Sequence, residues 1–240
     1  MKFSALHQKK TSNLVIYFLW FGVVAPLWYI AINVFVAYRY PGYDAMSQVV
    51  SELSAIGAPT RSLWVFLSTI YSAALLVFGW GVWKMSKTSP RLRIVAILLL
   101  VSTITGLFWP PMNRREVLAA GGGGLTDTLH IVFTVAWSVL AFMVIGFAAA
   151  ALQLRFRLYT IATAVIMIIF GWLTASGAGN LQTGRPTPDI GLWERVNIGV
   201  FMIWMFVFAL TLLRLQRHDT GGKEVTSHKY RLNRIREPAA

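Results

Sequence analysis

The sequence predicts an all-α integral membrane protein, a bundle of six transmembrane helices with both termini in the cytoplasm and a short interfacial helix after the first span. Three observations support this fold class. The chain contains long stretches without any charged residue, 56% of its 240 residues are hydrophobic against 13% charged, and the acidic residues before position 218 are confined to alternate connections. A soluble domain of this length has too little interior for so much apolar surface.

The predicted spans are the stretches that lack Lys, Arg, Asp and Glu. A helix rises ~1.5 Å per residue, so roughly 20 such residues cross a hydrocarbon core of ~30 Å. The stretches that meet this requirement, or come close to it, are 14–38, 62–83, 94–109, 128–151, 158–178 and 196–213. The last one is followed by a polar segment, so we predict an N-terminal segment over 1–13, a membrane domain over 14–215 and a basic, disordered cytoplasmic tail over 216–240.

Charge in the connections predicts the orientation. The connections after spans one, three and five hold every acidic residue before position 218, balanced by arginines, whereas those after spans two and four hold only basic residues. By the positive-inside rule the basic connections and both termini are cytoplasmic. This predicts a multi-pass protein of the cell (inner) membrane. Anionic lipid headgroups at the cytoplasmic face are then the expected partners of the net charge of +13, and no nucleic acid is needed to explain it.

The connection after the first span is the richest in signals. Asp44 is a plausible N-cap, Met46, Val49, Val50 and Leu53 recur at helical spacing, and Gly57 followed by Pro59 indicates a stop. This pattern predicts the short interfacial helix. Its other face carries a hydroxyl and a carboxylate side by side, which is either an ordinary solvated face or part of a site.

A family resemblance adds to this interpretation. The segment 47–59 (SQVVSELSAIGAP), a His near the start of span four and the sequence Trp-Glu-Arg-Val at 193–196 resemble the bacterial membrane family catalogued as domain of unknown function 998. More distantly, the segment is similar to the first outer loop of six-span proteins related to the damage-regulated autophagy modulators and the GPI-anchor remodelling factors. The resemblance implies a fold and a membrane location, and no reaction.

Polar residues gather at the predicted outer ends of the spans and form the candidate site. A carboxylate in a low dielectric and a His beside an acid are suited to proton transfer near neutral pH, and a Ser beside such a His can act as a nucleophile. The candidate catalytic residues are Ser51, Glu52, Asp127, His130 and Glu194, with Asp127 as the group that orients His130. The candidate ligand-binding residues are Gln48, Arg195 and Asn197. Glu194 and Arg195 have an ordinary alternative, a structural ion pair at the start of a helix.

Several function classes remain open. We expect an outward-facing polar pocket that binds the headgroup of a lipid or a lipid-like molecule, in a non-catalytic binding or assembly protein. The alternatives are a lipid-modifying hydrolase or transferase that uses Glu52, His130 and Glu194 as acid and base, and a transporter. No cofactor and no metal site are expected, because cysteine is absent and only one His lies near this surface.

Overall fold

The computed structural model describes the backbone of residues 2–236 and the side chains of residues 13–218. This part of the chain is helical and contains no named β-strand. Its α-helices are α1 Lys2–Arg39, α2 Arg61–Met85, α3 Pro90–Leu107, α4 Arg115–Ala119, α5 Leu125–Ala151, α6 Leu154–Gln182 and α7 Ile190–Arg236. Short 3-10 helices cover Val50–Ser54 and Ser86–Thr88.

Six of these helices are long and apolar enough to cross a membrane, within the part of the chain that the structure describes. They contain the candidate spans Asn13–Arg39, Arg61–Thr88, Pro90–Leu107, Leu125–Ala151, Leu154–Gln182 and Ile190–His218. The predicted count of six is therefore confirmed, and each predicted stretch lies within or largely within one of these spans. Helix α4 is only one turn long and belongs to a connection.

The spans form a ring in which each helix packs mainly on its neighbours. Helix α1 packs against α2 and α7, α3 lies between α2 and α5, and α6 packs against α7 more extensively than against α5. Stacked aromatic rings fill the centre: the rings of Trp204 and Phe208, both fully buried, lie 5.2 Å apart. The indole N–H of Trp204 donates to the hydroxyl of Thr160 at 3.0 Å, which joins α7 to α6 and satisfies a buried donor.

The short helix after the first span is present, but it is shorter and tighter than the pattern suggests. It is the 3-10 helix Val50–Ser54, with Val49 at its N-cap position. Asp44 instead closes the preceding turn, where its carboxylate accepts from the backbone of Met46 and, at 2.6 Å, from the hydroxyl of Ser47. Gly57 adopts a φ of +80°, a conformation that favours glycine and ends the segment as predicted.

The predicted tail falls largely outside the described side chains. The backbone of α7 continues as a helix to Arg236, so the predicted boundary at residue 216 does not coincide with a helix end. The side chains from 219 onward and residues 237–240 lie outside the described residues, as do the side chains of 1–12. Disorder of the tail and the cytoplasmic placement of both termini stay predictions.

The two ends of the bundle differ in character. We call the end that carries the connections 40–60, 108–124 and 183–189 the polar end, and the opposite one the basic end. At the basic end, Arg91 and Arg157 donate to the carbonyls of Ala150 and Ala149. Cations placed there complement the partial negative charge at the C-terminus of α5.

Candidate functional site

The first connection is fastened to the start of α7. The backbone N–H groups of Gly191 and Leu192 both donate to the carbonyl of Met46, at 2.8 and 3.0 Å. A glycine is required at 191, since a Cβ there would lie 2.6 Å from the carbonyl oxygen of Ala45 and still closer to that of Gln48. The N–H groups that a helix leaves unsatisfied at its start are thus used to hold the loop.

Arg195 completes this attachment, one turn further along α7. Its guanidinium donates to the carbonyls of Ala45 and Gln48 at 2.7 and 2.8 Å, to Asn33 of α1 and to the hydroxyl of Tyr43. That hydroxyl in turn donates to the carbonyl of Val49 at 2.8 Å. Burial raises the pKa of Tyr43 well above its usual range, so the phenol stays neutral. Arg195 is committed to the fold rather than exposed to a ligand.

Glu52 is buried and paired with Arg115 of α4. The pair is bidentate, with the Arg115 Nε donating at 2.8 Å and Nη2 at 2.6 Å, and only 4% of the Glu52 side chain is exposed. Gln48 and the backbone N–H of Val49 also donate to this carboxylate. The hydrogen bonds to Glu52 raise the pKa of Arg115 above its ordinary value. Both oxygens of this carboxylate are therefore occupied as acceptors.

Glu194 of α7 binds the start of the same 3-10 helix. Its carboxylate accepts from the backbone N–H of Val50, the residue next to the one whose N–H is bound by Glu52. Two acidic side chains from distant positions therefore satisfy consecutive donors at the start of one short helix. A structural ion pair between Arg195 and Glu52 does not form, because Glu52 pairs with Arg115 and Arg195 donates to main-chain carbonyls.

Asp127 anchors the connection between α3 and α5. One of its oxygens accepts from the backbone of Asn113 at 2.6 Å, and the other accepts from the Asn113 amide at 2.7 Å and from the N–H of Gly124 at 2.9 Å. These bonds cap α5 and tie it to the loop. Asp127 is therefore not the hydrogen-bonding partner of the imidazole, although it lies one turn before His130.

His130 contacts Ser51 across the polar end. Its Nε2 lies 3.1 Å from the Ser51 hydroxyl, and its Nδ1 lies 2.7 Å from the carbonyl oxygen of Pro110 and 3.1 Å from the indole nitrogen of Trp109. The Trp109 indole N–H can only donate to Nδ1 and the Pro110 carbonyl can only accept from it, so the two contacts favour opposite tautomers, and the shorter one, to Pro110, favours a proton on Nδ1. Nε2 is then the acceptor, and the Ser51 hydroxyl donates to it.

Among the five predicted catalytic residues, Ser51 and His130 are joined by a direct side-chain contact. Both residues are half-buried. A backbone carbonyl holds the ring in the orientation that an acid holds in serine hydrolases. The pair provides a hydroxyl whose proton has an acceptor already in place.

An apolar cleft of about 320 Å³ opens between α5, α6 and α7. Trp137 and Phe142 of α5, Gly171 and Trp172 of α6, and Phe201 of α7 are among its lining residues. Asn197, one of the predicted ligand-binding residues, lines it too. The Oδ1 atom of Asn197 is buried and accepts no hydrogen bond within the described chain, and the Nδ2 atom of the same amide lies on the side of Gly171.

A smaller cavity of about 50 Å³ lies on the other side of the Trp137–Phe201 contact. It is enclosed by α2, α3, α5 and α7, and Ser102, Thr103 and Gly106 belong to its wall. The hydroxyls of Ser102 and Thr103 donate to the carbonyl of Leu99 within their own helix. Both hydroxyls are therefore satisfied within α3.

No cluster of three or more His, Cys, Asp or Glu able to hold a metal ion is found among the described residues.

Four contact residues were not selected from the sequence: Arg115, Tyr43, Asn113 and Pro110. The sequence offers no signal for Arg115, because Arg114 beside it has the same chemistry and the two differ only in which side of α4 they occupy. Pro110 contributes a main-chain carbonyl, which side-chain patterns do not reveal. Tyr43 and Asn113 lie in irregular connections, where periodicity gives no information about direction.

Comparison with known proteins gives one match. A family model described as "Protein of unknown function (DUF998)" matches residues 23–211, a range that contains the polar end and the cleft. No curated protein and no solved structure matches the chain.

Proposed function

The chain belongs to the family of proteins of unknown function DUF998, and we propose that it binds a membrane lipid, with the hydrocarbon chain in the α5–α6–α7 cleft and the headgroup at the polar end. The observation that carries this proposal is the cleft itself. Its walls are mainly apolar and aromatic, as in sites for hydrophobic ligands, with a few polar groups such as Asn197 and Ser138.

Asn197 supports a ligand that carries a polar group. Its amide lines the cleft and its Nδ2 atom lies on the side of Gly171, where it can donate to an acceptor of the lipid such as an ester carbonyl. Asn197 lies seven positions along α7 from Ile190, about 10 Å from the start of that helix. That depth suits the upper part of a lipid rather than its chain end.

The polar end contributes shape and orientation more than free charge. Glu52, Asp127 and Arg195 are held by internal hydrogen bonds, so recognition of a headgroup by these charges would require breaking the fold. Half-buried Ser51 and His130 remain as the groups that face an approaching headgroup. This favours a headgroup that accepts or donates hydrogen bonds over one that is read by charge.

The membrane and the orientation are part of the proposal. We infer a bacterial inner membrane with the polar end outside and the basic end in the cytoplasm, from the charge of the connections. At the basic end Lys84 and Arg93 lie over the rings of Trp80 and Trp83, at 4.8 and 5.2 Å, an arrangement suited to the membrane interface. Anionic lipid headgroups are the expected partners there.

The test fills the cleft. In Gly171→Leu a side chain enters the cleft, whereas Gly179→Leu on the same helix is the matched control, since a Cβ at 179 meets no atom within 4 Å. Wild-type protein and both variants are purified in mild detergent, and bound lipid is quantified by native mass spectrometry. We expect the wild type and Gly179→Leu to retain lipid and Gly171→Leu to lose about tenfold in occupancy, equivalent to about 1.4 kcal/mol. Equal occupancy in both variants would exclude the cleft as the site.

A further inference from the structure

The polar end contains a serine and a histidine in direct side-chain contact, an arrangement that lipid binding alone does not require. Ser51 belongs to the 3-10 helix Val50–Ser54 and His130 to the first turns of α5, so 79 residues of sequence separate two side chains that lie 3.1 Å apart. We propose that Ser51 and His130 form a nucleophile–base pair that cleaves an ester of the bound lipid. This inference takes its substrate from the proposed function.

The first support is the tautomer. The carbonyl of Pro110, 2.7 Å from Nδ1, holds the proton on that nitrogen. Nε2 therefore presents its lone pair to the Ser51 hydroxyl, which is the state a general base must have before attack. After proton transfer both ring nitrogens are donors, and the Pro110 carbonyl stabilises the imidazolium. The Asp127 carboxylate, one turn before on α5, adds a favourable negative charge nearby.

The second support is the fixed position of Ser51. The backbone immediately before it is held by two carboxylates: Glu194 binds the N–H of Val50, and Glu52 binds the N–H of Val49. Arg115 locks Glu52 in turn. The polar network therefore positions the hydroxyl against the imidazole rather than taking part in chemistry, and positioning of this kind lowers the entropic cost of reaction.

The third support is the location of the apolar space. His130, Trp137 and Ala141 share one face of α5, because seven and eleven residues correspond closely to whole turns. Trp137 and Ala141 line both the cleft and the smaller cavity. The cavities thus begin about 10 Å below His130. A lipid whose chain occupies the cleft would place its ester region toward Ser51.

The reaction balances without any cofactor. The Ser51 oxygen attacks the ester carbonyl carbon while its proton passes to His130 Nε2. The carbon–oxygen bond to the alcohol then breaks, and that alcohol leaves with the proton from Nε2. The acyl group remains as an ester on Ser51. Water, activated by the same Nε2, attacks this ester, so the fatty acid is released and the hydroxyl is restored.

The experiment measures acylation of the full-length protein in detergent micelles with p-nitrophenyl octanoate as the probe. Ser51→Ala removes the nucleophile, and Ser54→Ala is the matched control in the same 3-10 helix, where the hydroxyl donates to the Ser51 carbonyl. We expect a burst of p-nitrophenol and an octanoyl group on the peptide containing Ser51. Ser51→Ala should lose at least about 100-fold in rate, while Ser54→Ala retains wild-type turnover.

A second variant separates chemistry from structure. His130→Ala should lose a similar factor and regain part of it when imidazole is added, since a free base can occupy the vacated space. A purely structural histidine would not respond in this way. If Ser51→Ala fails to fold, labelling of the wild type by a fluorophosphonate, followed by mass mapping of the modified residue, decides the same question.

The outcomes distinguish this inference from lipid binding. Acylation of Ser51 supports the pair even if native mass spectrometry finds no lipid in the cleft, in which case the proposed function alone is wrong. Lipid retention without covalent modification of Ser51, either acylation by the ester or phosphonylation by the fluorophosphonate, overturns the pair and leaves the proposed function standing. Unchanged turnover in Ser51→Ala would also overturn it.

Discussion

Replacing Arg115 by Gln tests whether the buried ion pair holds the polar end together. The substitution removes two hydrogen bonds to Glu52 and one to the carbonyl of Ser47, and it leaves a carboxylate that is 4% exposed without its counter-charge. Breaking a buried pair from one side costs about 3–5 kcal/mol. For a chain of this size 1 kcal/mol corresponds to about 2–4 °C in Tm, so the Tm should fall by about 6–20 °C.

Arg114→Gln is the matched control. Arg114 neighbours Arg115 in the sequence and pairs with Glu116, but these side chains are 41% and 61% exposed. An exposed pair contributes at most about 1 kcal/mol, and the Tm should fall by no more than about 4 °C. The assay is thermal unfolding of each variant in lipid nanodiscs, followed by circular dichroism. Equal decreases in Tm for the two arginine variants would refute the conclusion that the Glu52–Arg115 pair holds the polar end together.

The double variant Glu52→Gln/Arg115→Gln gives the coupling within the same pair. A neutral amide in place of the carboxylate no longer needs a counter-charge, so the double variant should be more stable than Arg115→Gln alone. A double variant that is less stable by the sum of both single changes would mean that the two side chains act independently.

Two further predictions concern the attachment of the loop and the orientation. Gly191→Ala places a methyl group against the carbonyls of Ala45 and Gln48 and should destabilise the protein by about 1–3 kcal/mol or more. The control is Gly199→Ala on the same helix, which meets no atom within 4 Å and should be neutral or stabilising by up to about 1 kcal/mol. Equal Tm values for the two variants would show that the close approach at 191 is absent. Reporter fusions after residue 218 should be active in the cytoplasm and fusions within 108–124 outside it, and the reverse result would invert the membrane map.

Much of the fold follows from local features of the sequence. Helix length and apolarity are properties of continuous segments, so the six spans can be counted from the absence of charge. The stop at Gly57 is likewise local, because a positive φ is costly for other residues. The 3-10 form of Val50–Ser54 was not predicted, since the N–H of Val50 at its start is bound by Glu194, which lies 144 residues away.

The sequence predicted which residues form the candidate site, but it did not predict all of the contacts between them. Ser51 and His130 do meet, but the group that orients the imidazole is the Pro110 carbonyl, and Asp127 binds Asn113 instead. An acid three residues before a histidine is compatible with both arrangements. The outcome depends on the path of the connection between α3 and α5, which places the Pro110 carbonyl beside His130 and the Asn113 amide beside Asp127.

The sequence by itself determined that this chain has six segments long and apolar enough to cross a membrane and that the acidic residues before position 218 share one end, because segment length and charge are counted along the chain. Only the tertiary structure decided which arginine pairs with Glu52, which acceptor orients His130 and where an apolar cleft remains between α5, α6 and α7. Those outcomes depend on how helices far apart in sequence pack around the buried Trp204 and Phe208. Which of two chemically identical neighbours, Arg114 or Arg115, pairs with Glu52 depends on the direction in which each side chain points.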